Sequence, residues 1–342
     1  MGEHDLSAGG DVMDRVRGCA QDALAAYPGV SPAASVELLN VSENATFLVT
    51  DPDAGPSVLR VHRLGYHTEQ EIASELAWMD ALRAEAGVRT PRVLPAADGR
   101  RVVTVPEQAG ANPSTERYCV RFEFLPGTEP GGSADDPALT GAHFAELGEV
   151  TARMHQHARE WSRPAWFTRF HWDYPAAFGQ QARWGRWQDG IGVGPSEHAI
   201  LSRLDHALRD RLRAFGSGPE RYGLVHADTR LANLLVHDGS VSVIDFDDSG
   251  FSWYLYDLGT AVSFFEHEPV VPALVDSWLE GYRRAGRLSA EDQAEIWTFI
   301  MFRRLLLVAW IGSHRAVDIA AELGAGYTQG SCDLAESYLS TH

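Results

Sequence analysis

Three oxygen-bearing side chains, Asp228, Asn233 and Asp245, stand in one passage with a spacing that suits metal-assisted chemistry on a hydroxyl group. Asp228 and Asn233 precede a short β-rich run at 234–236, and Asp245 follows a second run at 241–244. Between the runs lies His237-Asp238-Gly239-Ser240, whose Asp-Gly pair signals a tight hairpin. A hairpin returns the chain on itself, so Asn233 and Asp245 can face one another and share a hard cation. Mg²⁺ takes oxygen ligands, typically one or two carboxylates together with phosphate oxygens. Asp228, on the loop before the hairpin, is then placed to accept the proton of an attacking alcohol. Any one of the three alone would read as a turn or cap residue. Their combination is what points to a catalytic site.

Composition narrows the chemistry further. The chain has 342 residues, 44% apolar and 22% charged, which is ordinary globular composition and long enough for two lobes. It carries 29 basic against 47 acidic side chains, a formal charge of −18. That balance argues against a nucleic-acid backbone or an anionic membrane as partner and favours a cationic or metal-bound ligand. No lysine occurs anywhere, so every basic residue is Arg. Schiff-base and pyridoxal chemistry are excluded, as is the Gly-rich phosphate loop ending in Lys. Any phosphate clamp must use Arg. Cys19, Cys119 and Cys332 form no C-x-x-C pair, and the N-terminal residues show no basic region followed by an apolar run. Reduced thiols and a cytoplasmic location are expected. The most apolar stretch, 296–312, is interrupted by Arg303 and Arg304 and reads as a buried helix rather than a membrane span.

The elements that must position the three side chains follow from periodicity and punctuation. A helix is expected over 11–27, then β-rich runs at 36–41, 46–50 and 58–63. A second helix, 68–86, opens with Thr68 and Glu71 in a capping-box spacing. Its apolar stripe is Ile72, Leu76, Met79 and Leu82, and Glu75 falls on it. A carboxylate on a core-facing stripe needs a partner, which a neighbouring strand should supply. Further strand-like runs at 101–105 and 118–125 complete a mostly antiparallel sheet, and the Pro/Gly-rich loop 126–133 reads as a hinge. Beyond it, helices are expected at 138–160, 196–215, 270–285 and 289–316. The expected class is α+β: an N-terminal lobe, 1–125, built on a sheet with one helix, and a mainly helical lobe, 126–342, carrying the hairpin.

His226-Ala-Asp228-Thr-Arg-Leu-Ala-Asn233, followed by Ile-Asp245-Phe-Asp247-Asp248, resembles the H-x-D-x-x-x-x-N catalytic loop and metal-binding Asp of the protein-kinase-like fold. The resemblance is closest to the aminoglycoside-phosphotransferase family, also called the phosphotransferase enzyme family, and within it to the stress-response Ser/Thr kinase and type II homoserine kinase branch. It extends from about residue 38 to 315. Asn40-Val-Ser-Glu-Asn44 resembles the family's nucleotide-covering turn, Val58-Leu-Arg60-Val the strand of its phosphate clamp, and Ser74-Glu75-Leu the helix that holds the clamp's partner. Arg121-Phe-Glu123-Phe-Leu125 resembles the adenine-binding hinge. The resemblance thus implies ATP and Mg²⁺, with Asn44, Arg60, Glu75, Glu123 and Leu125 at the nucleotide and Asn233 and Asp245 at the metal. Asp228 would be the catalytic residue, with His226 and Asp257 bracing its loop. Two features depart from the family: the turn at Ser42–Asn44 has no glycine, and Arg60 stands where a Lys is usual. Arg keeps its charge and forks to two oxygens, so a working clamp with altered nucleotide affinity is expected.

The leading expectation is an ATP-dependent kinase whose acceptor is a hydroxyl of a small molecule, an amino alcohol, amino acid or antibiotic. Three alternatives stand beside it. One is a Ser/Thr protein kinase, and another a nucleotide-binding pseudokinase, motivated by the missing Lys. The third is a phosphatase, because Asp245-Phe-Asp247-Asp248-Ser249 also resembles the D-x-D-x-[ST] nucleophile strand of haloacid-dehalogenase-like hydrolases. Trp172, Asp173, Asp247 and Asp248 are the substrate candidates, suited to a cationic acceptor. His155 reads as a satisfied core histidine, and most of the tryptophans at 161–187 as packing. Neither nucleic acid nor membrane is expected as partner, and monomer and homodimer stay equally open.

Overall fold

The computed structural model describes residues 10–41, 44–107, 115–131, 139–315 and 317–341. Ser42 and Glu43 of the expected nucleotide-covering turn, and Gly132 and Ser133 of the expected hinge, lie outside the described residues. The chain divides into two compact units. The first comprises Met1–Asp80, Pro91–Leu125 and Pro164–Thr168; the second comprises Ala81–Thr90, Pro126–Arg163 and Arg169–His342.

In the first unit, helix α1 (Gly10–Leu24) precedes strands β1 (Ser35–Val41), β2 (Ala45–Asp51) and β3 (Gly55–Val61). Helix α2 (Glu69–Glu85) follows, its last residues belonging to the second unit. Strands β4 (Val93–Leu94), β5 (Val103–Pro106) and β6 (Glu116–Glu123) complete a sheet of order β1-β2-β3-β6-β4, with β5 also paired to β6. Every pair is antiparallel. Ala45, Phe47 and Val49 alternate along β2 and pack with Leu59, Val61 and the α1 residues Val16, Ala20 and Ala23 in one buried cluster. The two-residue periodicity of a half-buried strand therefore accounts for the sheet's inner face. At the start of α2 the expected capping box is present: the Glu71 N–H donates to Thr68 Oγ1 at 3.2 Å, and the Thr68 N–H to Glu71 Oε2 at 2.8 Å.

The second unit is mainly helical. It contains α3 (Gly141–Glu160), α4 (Tyr174–Phe178), α5 (Pro195–Phe215), β7 (Tyr222–Val225), β8 (Leu234–His237) and β9 (Ser240–Val243). After these come β10 (Gly250–Trp253), α6 (Tyr256–Ala261), α7 (Val271–Ala285), α8 (Ala290–Ala294), α9 (Ile296–Ser313) and α10 (Asp318–Thr341). Helices α3 and α7 meet backbone to backbone. A Cβ on Gly281 would lie 1.6 Å from the Ala145 carbonyl oxygen, and one on Gly148 would lie 2.0 Å from that of Trp278. The expected hairpin is formed by β8 and β9, with φ of 49° at Asp238 and 72° at Gly239, the left-handed pair that a type I′ turn requires. A second antiparallel pair, β7 with β10, was not expected at 250–253.

Two other differences concern the C-terminal helices. The single helix expected at 289–316 is two, because Ser289 and Asp292 form a capping box for the short α8 and α9 starts afresh at Ile296. Helix α10 was not expected at all. Gly324, Gly326 and Gly330 weaken its helical signal, and Gly324 (φ 45°, ψ −138°) kinks it. Helix α9 is long and apolar enough to cross a membrane, yet 83% of it is buried inside the protein, against α6 and α10. It is the core helix that its sequence suggested.

Candidate active site

Strand β7 ends at Val225 and runs into His226, Ala227 and Asp228. Ala227 has φ of 67°, a left-handed backbone that non-glycine residues adopt only where the surroundings enforce it. Asp257, in the first turn of α6, does the enforcing. Its Oδ1 accepts the Ala227 N–H at 2.7 Å and its Oδ2 the His226 N–H at 3.2 Å. Oδ2 also meets His155 Nε2 at 2.9 Å, from α3. An ionised carboxylate only accepts, so Nε2 carries the hydrogen. Burial pulls the pKa of His155 down against the pull of Asp257, and its Nδ1 takes the Tyr282 hydroxyl at 3.1 Å. Thr229 closes the arrangement, donating its hydroxyl to the Asp257 carbonyl at 2.7 Å.

His226 is the next strut. Its Nδ1 accepts the Asp228 N–H at 3.2 Å, which makes Nε2 the donor to the Ile244 carbonyl at 3.1 Å. The loop before the hairpin is thereby tied to the residue preceding Asp245. Asn233 is tied to the same place, since its carbonyl accepts the Ile244 N–H at 2.9 Å and prolongs the β8–β9 ladder. Its side-chain Nδ2 donates to Asp228 Oδ2 at 2.7 Å and to the Asp228 carbonyl at 2.9 Å, leaving Oδ1 as an oxygen donor for a cation. Asp245 is half-buried, with φ of 62°, the second left-handed non-glycine residue of the constellation.

Asp228 is held on both oxygens. Arg303 Nη2 lies 2.6 Å from Oδ1, and Arg230 Nε lies 3.2 Å from Oδ2 beside the Asn233 amide. Burial works to raise the pKa of this carboxyl, but the charges of Arg303 and Arg230 outweigh it and hold the value below the usual carboxylate range. Its side chain remains 14% exposed, so an acceptor can reach it.

The segment after Asp245 is strapped through its backbone. Phe246 is buried with its ring 4.4 Å from that of His226. Arg169 donates to the carbonyls of Asp247 and Ser249, and Trp172 Nε1 to the Asp248 carbonyl at 2.8 Å. The carboxylates of Asp247 and Asp248 are themselves largely buried. Trp172, expected to offer a face to substrate, is fully buried with its N–H bonded to the loop and its ring 4.7 Å from that of Trp184. Asp173 caps α4, accepting the Ala176 N–H at 2.9 Å. Trp172 thus shows no exposed ring surface, and Asp173 has one of its oxygens engaged at the N-terminus of α4.

In the first unit, Arg60 of β3 and Glu75 of α2 form the ion pair anticipated from the helix stripe, at 2.7 Å between Nη1 and Oε1. Both are buried, and the Arg60 guanidinium lies 5.2 Å from the Phe122 ring centre. Glu75 Oε2 has no partner among the described residues. Asn44 is buried and accepts the Arg63 N–H at 3.1 Å, bracing the start of β2 against the end of β3. The Glu123 N–H is taken by the Arg92 carbonyl at 2.9 Å, so this residue's backbone could meet a base only by accepting at its carbonyl. Leu125 is half-buried at the end of that unit.

Among the described residues no group of three or more His, Cys, Asp or Glu side chains forms a metal cage. Asn233 and Asp245 supply hard oxygen donors of the kind Mg²⁺ accepts when phosphates and water complete its shell, so the donor set fits that ion. Sequence reasoning missed Arg303, Arg230 and Arg169. A signal did exist for the first, since Arg303 and Arg304 interrupt the most apolar run in the chain, and a buried guanidinium there requires a carboxylate. Arg304 finds Glu266, at 2.6 Å.

An antiparallel sheet unit joined in one chain to a helical unit bearing this loop and hairpin defines a kinase-like fold. The chain belongs to the phosphotransferase enzyme family, whose model matches residues 36–297. It is 50% identical to a microcompartment-associated aminopropanol kinase of known structure, over 94% of this chain and 97% of that one, with a TM-score of 0.84. A curated relative, the amicoumacin kinase of Bacillus subtilis (strain 168), is 25% identical over 78% of this chain and 76% of its own length. The structure of another amicoumacin kinase, hAmiN in complex with AMP-PNP, Ca²⁺ and Ami, shares the fold at 23% identity and a TM-score of 0.74, over 94% of this chain and 95% of that one. The phosphatase alternative falls with this assignment: its hydrolases use a parallel sheet, whereas every strand pair described here is antiparallel.

Proposed function

We propose that the protein is an ATP- and Mg²⁺-dependent kinase that transfers the γ-phosphate to the hydroxyl of a small amino alcohol in the cytoplasm. The observation that carries this reading is the Asp228 carboxylate, fixed on both oxygens yet still exposed, bonded to Asn233 at the foot of the hairpin that leads to Asp245. The choice of an amino alcohol over an antibiotic, an amino acid or a protein hydroxyl is supported by the 50% identity to an aminopropanol kinase.

Residues 1–125 are assigned the nucleotide and residues 126–342 the acceptor and the chemistry. Arg60, steadied by Glu75, is assigned phosphate oxygens, and Asn44, Glu123 and Leu125 the rest of the nucleotide. Asn233 Oδ1 and Asp245 would hold Mg²⁺, which when bound neutralises charge on the phosphates. Asp228 takes a hydrogen bond from the acceptor hydroxyl and receives its proton as the oxygen attacks the γ-phosphorus, whose bond to the bridging oxygen breaks to release ADP. Phosphoryl transfer passes through a loose transition state, so orientation of the alcohol matters more than the strength of the base. A carboxylate held ionised by Arg303 and Arg230 is a weak base and a firm orienting group. Asp247 and Asp248 are assigned the acceptor's ammonium.

A transfer assay with γ-labelled ATP against amino alcohols, aminoglycosides, macrolides and generic protein substrates tests the assignment. Labelled amino alcohol that disappears with EDTA is the expected result. Nucleotide binding with no transfer to any acceptor would leave a pseudokinase, and label only on protein would leave a Ser/Thr kinase.

A further inference from the structure

Arg303 sits in the middle of the buried helix α9, 2% exposed, in a run of Leu, Val and Phe. A guanidinium in such surroundings is costly unless its charge and its N–H groups are answered. Its neighbour Arg304 is accounted for within the framework by Glu266, Ser331 and the Tyr327 carbonyl. Arg303 is anchored differently. Nε donates to Ser263 Oγ at 3.0 Å and Nη1 to the Tyr256 hydroxyl at 3.1 Å, while the ring of Trp184 lies 5.2 Å from the guanidinium. These contacts fix the planar fork from two sides. Its remaining nitrogen, Nη2, bonds Asp228 Oδ1 at 2.6 Å.

Asp228 lies on a loop, and the χ2 of an Asp side chain is broad, so the carboxylate plane is not set by the backbone alone. Its Oδ2 contacts, Arg230 and Asn233, lie only two and five residues further along the same stretch of chain. Arg303 is the contact from a rigid, buried element. We infer that Arg303 is a positioning residue: it locks the Asp228 carboxylate plane to the protein core, so that the acceptor hydroxyl always meets the same lone pair. The inference rests on the assignment of Asp228 made above. It gives Arg303 no contact with substrate.

A double-mutant cycle on kcat tests it, with ATP, Mg²⁺ and 1-amino-2-propanol as substrates. Arg303→Met is expected to lower kcat by about 10²-fold, the scale of an ångström-sized misplacement of a catalytic group. The KM for ATP should hold within about twofold, because nucleotide contacts are untouched. Arg303→Lys keeps the charge but not the fork and should recover only part of the loss. In an Asp228→Asn background, Arg303→Met should cost nothing further. Ser263→Ala, which removes one anchor and keeps the guanidinium, should lower kcat several-fold and reads the same coupling should the Met variant fail to fold. Losses that multiply across the two sites, or full recovery with Lys, would overturn the positioning role while sparing Asp228. An unchanged kcat in Asp228→Asn alone would remove the proposed function and the inference together.

Discussion

Two arginine–carboxylate pairs of nearly equal length behave as opposites. Arg303 and Asp228 meet at 2.6 Å in the second unit, Arg60 and Glu75 at 2.7 Å in the first. In the second unit the acceptors are answered several times over. Asp257 holds three donors, His226 bonds through both ring nitrogens, and Asp228 is engaged on both oxygens. In the first unit Glu75 uses one oxygen and leaves Oε2 without a partner among the described residues, although it is fully buried. A saturated network resists displacement and suits a group that must orient an alcohol. A pair with idle capacity suits a clamp that must adjust to a ligand. The two pairs thus differ in hydrogen-bond saturation rather than in length, and on the proposed function the saturated one belongs to the frame and the other to the clamp.

The largest effect should come from the saturated side. Asp228→Ala is expected to cut kcat by about 10²–10⁴-fold, the range of a positioned acid–base group, with nucleotide affinity nearly intact by calorimetry. A large loss of nucleotide binding in the same variant would show that the loop serves the clamp and dissolve the distinction. Next in size is Glu75→Ala, which leaves the buried Arg60 charge without its carboxylate. Removing one partner of a buried pair costs about 3–5 kcal/mol, so the midpoint of urea unfolding should drop markedly. A loss under about 1 kcal/mol would mean that the guanidinium relaxes toward water, and that the buried pair adds little to the stability of the first unit.

These contrasts were unevenly legible in the sequence. Glu75 betrayed its partner because a carboxylate on an apolar stripe demands one, and the strand that supplies Arg60 was foreseen. The hairpin was readable from Asp-Gly, and its spacing singled out Asp228, Asn233 and Asp245, of which the first two share a 2.7 Å hydrogen bond. The apolar run around Arg303 called for a carboxylate but not for a particular one, since the contact joins residues 75 positions apart in sequence and no local pattern encodes such a pairing. Trp172 and Asp173 hold places that residue type alone did not show, since the burial of the one and the helix capping by the other are tertiary facts. Helix α10 escaped because its glycines lower intrinsic propensity and its stability comes from packing on α5 and α9.

A smaller effect separates the two regions by pH. Burial depresses the His155 pKa below its ordinary 6.5, so the folded protein keeps the ring neutral where the unfolded chain takes up a proton. Its stabilising contribution is therefore complete above about pH 6.5 and declines as pH falls below that value. Over that range wild type should lose up to about 1.4 kcal/mol per pH unit more than His155→Gln, which can still donate to Asp257 but does not titrate. Unfolding titrations of both at pH 5, 6 and 7 would read the difference. Parallel curves would place the proton elsewhere and weaken the case for a neutral, saturated brace.

The smallest effect belongs to the clamp. Arg60→Lys keeps one positive charge beside Glu75 Oε1 and gives up the fork and the contact with the Phe122 ring, 5.2 Å away. A cation over an aromatic face contributes about 0.5–1 kcal/mol, so unfolding stability and the KM for ATP should each move by no more than that, roughly fivefold in the latter. If the clamp acts as a charge able to shift, Lys suffices and the change stays within this bound. A rise in the KM for ATP beyond about 20-fold, at unchanged stability, would mean that both arms of the guanidinium grip phosphate together. The first unit's pair would then be held to one geometry as strictly as Arg303 and Asp228 are, and the idle oxygen of Glu75 would no longer distinguish clamp from frame.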